Sequence, residues 1–108
     1  MKLVLAIIHD EDAPDIMKIL NQKGFMVTKL SSTGGFLRAG NTTLITGVED
    51  DKVNEVTEIF KEKCKMRKKI VGESTPYTNM DGFMRRPVEV EVGGATIFVM
   101  DVSQFIKI

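Results

Sequence analysis

The chain opens with a short apolar run that is followed by an amphipathic stretch, as in a small α+β domain. Residues 3–8 are continuously apolar and rich in branched side chains, which predicts a strand buried on both faces. Asp10 or Asp12 then caps a first helix, which carries Pro14 in its first turn. Gly24 supplies the left-handed residue at which this helix is predicted to end.

Two more strands and a second helix follow. Residues 25–31 and 42–48 predict strands, and a glycine-bearing loop at 33–40 joins them. The acidic residues 49–51 suit the positive end of a second helix. The apolar stripe of that helix consists of Val53, Val56, Ile59 and Phe60.

The second helix is predicted to end in a run of cations. The run consists of Lys61, Lys63, Lys65, Arg67, Lys68 and Lys69. It fits either a patch that binds phosphate or nucleic acid, or a solvated helix end whose cations suit the negative pole of the dipole. The 15 basic and 15 acidic residues cancel, which favours the solvated end and disfavours a nucleic-acid partner.

The end of the chain predicts a β-hairpin. Valine and glutamate alternate over residues 88–92, Gly93 and Gly94 fit a two-residue turn, and residues 95–102 run back. The order of elements predicts an α+β fold. It is a ferredoxin-like (βαββαβ) sandwich with a C-terminal β-hairpin extension, in a single domain that covers residues 1–108.

The sequence offers little catalytic or metal chemistry. His9 and Cys64 are the only histidine and cysteine, so neither a zinc-binding pair nor an intramolecular disulfide can form. Asp10, Glu11 and Asp12 could hold a hard cation, but helix capping explains them with fewer assumptions. No P-loop or dinucleotide-binding fingerprint is present. We therefore expect a cytoplasmic binding protein rather than an enzyme, with no cofactor, metal or membrane span.

Residues 30–43 stand out because neither core packing nor capping explains them. A Gly-Gly pair ending at Gly35 lets backbone N–H groups form an anion-binding concavity, and Arg38 adds a planar cation. Phe36 could stack on a base, and Asn41 carries the donor and acceptor that read an adenine edge. The same residues also fit a plain connection between strands, whose glycines serve turn geometry. Composition alone leaves both interpretations open.

Two long motifs carry a family resemblance over nearly the full chain. They are residues 28–43, TKLSSTGGFLRAGNTT, and residues 87–100, PVEVEVGGATIFVM. Both resemble the PII-like cyclic di-AMP receptor proteins of Gram-positive bacteria. The resemblance implies a homotrimer that binds cyclic di-AMP at its subunit interfaces. It also implies that the ligand reorders loops 33–40 and 72–87, which then meet an unidentified downstream protein partner.

The resemblance further implies which residues meet the ligand. The base and phosphate contacts of the family map onto Thr28, Gly35, Phe36, Leu37, Asn41 and Gly47. This chain departs from the family pattern at Met26, where an arginine is usual, and at Lys107, where a glutamine is usual. Lys107 or Arg38 could supply the cation that Met26 lacks.

Two other functions remain open at this point. A PII-like sensor of ATP or AMP would use the same fold, and the missing arginine at Met26 leaves room for a different nucleotide. A protein-interaction module would use its loops to dock a protein or RNA, which Arg85, Arg86 and the cation run suggest. An enzyme that hydrolyses the dinucleotide is disfavoured, because the sequence offers neither a paired base nor a metal cluster.

Overall fold

The computed structural model describes residues 1–30, 40–71 and 88–108 of the chain. Short 3-10 turns, Asp10–Asp12 and Asp50–Lys52, lead into the two helices. The helices and strands are β1 (Lys2–His9), α1 (Ala13–Gln22), β2 (Val27–Leu30), β3 (Asn41–Val48), α2 (Val53–Lys63), β4 (Arg67–Val71), β5 (Val88–Val92) and β6 (Ala95–Asp101). The predicted α+β class is confirmed, with two helices and antiparallel sheets.

The main sheet has the strand order β2-β3-β1-β6, and each neighbouring pair is antiparallel. Its centre is β1, whose alternate side chains meet different surroundings. The side chains that face the helices are fully buried: Val4, Ala6 and Ile8. Those between them, from Leu3 to Ile7, are half-buried on the opposite face. The apolar run predicts that β1 is buried on both faces. Among the described residues of a single chain, only its face towards the helices is fully buried.

Both helices pack on the same face of the sheet through the predicted apolar stripes. Ile16 and Leu20 of α1 meet Val56 and Phe60 of α2 in one core cluster. Gly24 has φ +87° and ends α1, as its left-handed conformation requires. Burial of these amphipathic faces, rather than intrinsic helix propensity, stabilises helices this short.

The predicted capping role of the acidic residues is wrong. His9 and Asp12 hold the positions that precede the 3-10 turn and α1, and neither makes a side-chain capping hydrogen bond. The Asp12 carboxylate is buried and accepts hydrogen bonds from Arg67 instead. A charge-assisted, bidentate hydrogen bond to a guanidinium is stronger than a hydrogen bond to one backbone N–H. The Asp12 carboxylate therefore binds Arg67 and does not cap the helix.

The predicted C-terminal β-hairpin extension is also wrong. β5 pairs with β4 in a separate two-stranded sheet, and β6 pairs with β1 at the edge of the main sheet. Gly93 and Gly94 have φ +97° and +82°, but they connect two sheets rather than close a hairpin. The physical reason lies in the charges of β5. Glu91 stands opposite Lys68 of β4, a favourable cross-strand pair that β6 does not offer.

Only the first part of the cation run, Lys61 and Lys63, lies in the last turn of the second helix. α2 ends at Lys63, and the last three cations, from Arg67 to Lys69, belong to β4. Cys64, directly after the helix, continues the apolar stripe of Val56 and Phe60 and is buried in the core cluster. This burial raises the pKa of the Cys64 thiol to about 11.

Two glycines with similar φ angles provide a matched test of this connection. A Cβ added at Gly93 would lie 2.4 Å from the Lys65 carbonyl oxygen, whereas at Gly24 nothing lies within 4 Å. The left-handed conformation costs a non-glycine residue about 1–2 kcal/mol at either position, and Gly93→Ala adds a backbone clash. We expect the urea midpoint of Gly93→Ala to fall well below that of Gly24→Ala. Equal midpoints would contradict the tight contact at Gly93.

Candidate functional site

Three of the predicted ligand contacts lie on the helix-free face of the main sheet. Thr28 of β2 stands opposite Ile45 of β3, and residues directly opposite each other share a face. Asn41 and Gly47 lie an even number of residues from Ile45 on the same strand, so they share that face too. All three predicted contacts are exposed. The structure thus brings them to one uncovered surface.

Four other predicted contacts precede β3 in the chain. Gly35, Phe36, Leu37 and Arg38 lie outside the described residues. Within the described part, Asn41 and Gly47 stand at opposite ends of β3. At a rise of about 3.3 Å per residue they are about 20 Å apart. The face therefore offers two separate ends rather than one compact site.

The first end is a pocket of about 650 Å³ around Gly47. Met26 and Lys107 line it together with Gly47, so three predicted site residues meet here. Met26 is 81% exposed, and its carbonyl accepts a hydrogen bond from the Thr46 hydroxyl at 2.6 Å. A Cβ at Gly47 would approach the flexible Met1 Cε at 3.2 Å, and the backbone there needs no positive φ. The glycine keeps space open beside the strand.

The second end is a smaller pocket of about 340 Å³ around Asn41. His9 stands opposite Asn41 in the β1–β3 register, and Thr96 and Gly94 line the same pocket. The His9 Nδ1 atom is buried and has no hydrogen-bond partner among the described residues. It lies 3.7 Å from a Glu11 carboxylate oxygen.

The turn Asp10–Asp12 fixes the backbone on both sides of Asn41. The Asp10 N–H donates to the Gly40 carbonyl at 2.8 Å. The Thr42 hydroxyl donates to the Asp10 carboxylate. Asn41, whose amide is predicted to read a base, therefore lies between two residues that bind the same aspartate.

The other two acids of the turn bind strand β4. Arg67 donates to both carboxylate oxygens of Asp12, at 2.7 and 3.5 Å, and the Lys69 Nζ lies 2.9 Å from Glu11. Sequence analysis missed these contacts, because their partners are 55 and 58 residues apart. One signal could have found the strand that carries these cations. The alternating glutamates of β5 need a strand partner, and β4 offers the nearest cations, but this does not indicate the contacts with the turn.

Comparison with known proteins identifies the family. The family model described as "Cyclic-di-AMP receptor" matches residues 1–108. The chain belongs to the cyclic-di-AMP receptor family. A receptor family groups binding proteins rather than enzymes, in line with the sparse catalytic chemistry of the sequence.

A solved structure shares the fold of this cyclic-di-AMP receptor family member. It is described as a functionally unknown protein from Pediococcus pentosaceus ATCC 25745, and it is 41% identical to this chain. The match covers 99% of this chain and 96% of that one, with a TM-score of 0.75.

Two further observations concern the described residues alone. No helix among residues 1–30, 40–71 and 88–108 is long and apolar enough to cross a membrane. Within the same ranges, His, Cys, Asp and Glu side chains form no group of three or more that could hold a metal ion.

The ion pairs of the acidic turn predict a specific pH dependence. The hydrogen bond from Lys69 lowers the pKa of Glu11 below its ordinary value of 4.5, and the charges of Lys69, His9 and Arg67 add to this. The lowered pKa means that the contribution of Glu11 to stability is complete above the ordinary pKa. It is lost as the pH falls through the lower, folded-state value. Thermal unfolding at about pH 3 to 5 should therefore be less pH-dependent in Glu11→Gln than in the wild type. Identical slopes would contradict the pairing.

Proposed function

We propose that this protein is a receptor that binds cyclic di-AMP at the subunit interfaces of a homotrimer and signals to a downstream protein through its loops. One observation carries the proposal. The face that holds Thr28, Asn41 and Gly47 is left uncovered by the two described helices. The whole chain would act as one PII-like domain, in the cytoplasm. The strand order, with both helices on one face, supports the ferredoxin-like arrangement.

The apolar character of the helix-free face supports assembly. Across the four strands, Thr28, Ile45, Leu5 and Phe98 form one continuous row. Phe98 is 45% exposed and Met100, on the same face, is 41% exposed. Monomeric soluble proteins rarely expose large contiguous apolar patches. A second copy on this face would bury the row and would place the ligand contacts between subunits.

The separation of the two ends supports a dinucleotide. One base cannot reach both Asn41 and Gly47 across about 20 Å of strand. A ligand with two bases can contact both ends, whereas AMP or ATP carries one. Lys107 lines the pocket beside Met26, which supports its role as the cation that replaces the family arginine. The family resemblance supports Gly35, Phe36, Leu37 and Arg38 as further contacts.

The paired cations do not favour a nucleic-acid-binding module. Arg67 and Lys69 pair with Asp12 and Glu11. Lys68 lies 4.0 Å from Glu89, its diagonal neighbour across the two-stranded sheet. Cations that are neutralised in this way leave less charge to attract a phosphate backbone.

A thermal-shift panel tests the ligand. A ligand at 100 times its Kd stabilises the folded state by about 2.7 kcal/mol, and each kcal/mol raises the Tm of a domain this size by roughly 4–8 °C. We expect a large shift with cyclic di-AMP and none with cyclic di-GMP, AMP or ATP. A shift with AMP or ATP alone would favour the mononucleotide sensor. No shift with any nucleotide would overturn both sensor functions.

Substitutions at the predicted contact residues test where the ligand binds. Phe36→Ala and Asn41→Ala should each weaken cyclic di-AMP binding at least ten-fold, about 1.4 kcal/mol, in a calorimetric titration. Asn54→Ala, on the exposed surface of α2, is the matched control and should bind like the wild type. Full affinity in both test variants would show that the ligand binds elsewhere.

Light scattering tests the assembly. We expect a mass three times that of one chain, and Phe98→Asp should reduce it to the monomer because it buries a charge in the apolar row. Val99→Asp is the control, since Val99 is also 45% exposed but points to the opposite face. A monomeric wild type, or a trimeric Phe98→Asp, would contradict the proposed interface.

A further inference from the structure

The turn Asp10–Asp12 contacts two regions of the chain that are distant in sequence. Its first residue binds the Gly40 carbonyl and the Thr42 hydroxyl, on either side of Asn41. Gly40 directly follows residues 31–39, which hold the remaining predicted base and phosphate contacts. The start of β3 is thus tied to this turn by a backbone and a side-chain hydrogen bond.

The second region is the two-stranded sheet of β4 and β5, here called the ribbon. Arg67 and Lys69 lie two residues apart on β4, so they project from one face of the ribbon. Both reach the turn, where they bind Asp12 and Glu11 respectively. The Asp12 side chain is 8% exposed, so its carboxylate depends on Arg67 for compensation of its charge.

The ribbon depends strongly on these contacts. An isolated pair of strands is marginally stable in water at best. The other described attachments of the ribbon are at its base, where the Gly94 N–H donates to the Cys64 carbonyl and Val92 is buried. The ion pairs therefore fix the direction in which the ribbon leaves the domain.

The three acids cannot move independently. They occupy one 3-10 turn, which continues directly into α1 through Ala13. A displacement of Asp10 that follows from a change at Gly40 or Thr42 must therefore shift Glu11 and Asp12 relative to β4. None of these carboxylates caps a helix, so their contacts are with other parts of the chain.

We propose that the acidic turn is a positioning element that couples the start of β3 to the ribbon. Nucleotide binding beside Asn41 changes the anchoring of the ribbon through this turn, and the anchoring changes nucleotide affinity by the same factor, since thermodynamic coupling is reciprocal. The ligand half of this statement rests on the proposed function. The mechanical half does not, because it concerns contacts within the ligand-free chain.

NMR-detected amide exchange on the ligand-free protein tests the mechanical half. Thr42→Val removes the hydroxyl that binds Asp10 and leaves the turn and the ribbon unchanged in sequence. We expect the β4 amides to exchange about five-fold faster or more, the lower range of measured couplings. Thr42→Ser retains the hydroxyl and should restore the wild-type rates. Thr57→Val is the matched control. It also removes a hydroxyl that donates a hydrogen bond, in this case to the Asn54 carbonyl on the exposed surface of α2.

The reverse direction uses the ribbon side. Arg67→Met removes the anchor, and the Asp10 N–H, which binds Gly40, is the reporter. Its exchange should also rise about five-fold or more. Lys61→Met is the control, since Lys61 pairs with Glu58 at 3.5 Å on the surface of α2. This arm decides the same point if Thr42→Val does not fold.

The outcomes separate the two proposals. Either of two results would overturn the coupling, whatever the ligand. One is that the β4 amides exchange at the same rate in Thr42→Val and Thr57→Val. The other is that the Asp10 amide exchanges at the same rate in Arg67→Met and Lys61→Met. A coupled turn in a protein that shows no heat with cyclic di-AMP would overturn the proposed function and leave the coupling intact. If cyclic di-AMP binds, it should alter β4 exchange in the wild type and lose that effect in Thr42→Val. An undiminished effect there would also overturn the coupling.

Discussion

Burial of strand β1 is the constraint on which the rest of the structure depends. β1 forms hydrogen bonds with β3 on one side and β6 on the other, so it joins the β2–β3 pair to β6 in the main sheet. Its fully buried side chains, Val4, Ala6 and Ile8, draw both helices to one face. The same apolar run leaves Leu3 to Ile7 half-buried on the other face. The packing of the helices and the exposed opposite face are thus two consequences of one continuous apolar segment.

The elements that could be predicted from the sequence are those whose signals are local. The apolar run of β1, the stripe of α2 and the left-handed Gly24 lie within a few residues of the structure they produce. The ribbon could not be predicted in this way. Its cations read as the end of a helix, and its true pairing is set by charges about 20 residues further along, as between Lys68 and Glu91.

The candidate site likewise has features that the sequence indicates and features that only the folded structure shows. The family resemblance indicated Asn41 and Gly47 as contacts, and the predicted strand already separates them, but the sequence did not indicate a pocket at each end. The lining of the pocket at Asn41 depends on the register of β3 against β1, which sets His9 opposite Asn41 and which no single motif contains. The acidic residues Asp10 and Asp12 also occur where capping residues usually occur. Their actual partners, Thr42 and Arg67, become neighbours only when the sheet and the ribbon have formed.

The hydrogen bond between the Gly94 N–H and the Cys64 carbonyl, 2.5 Å long, closes the base of the ribbon. The chain therefore leaves the domain after α2 and returns beside its point of departure, just before β6. The two ends of segment 65–93 therefore lie side by side, and changes in the length of a segment whose ends meet are tolerated with little cost to the rest of the fold. Insertions, deletions or charge changes in this segment should therefore leave the main sheet intact.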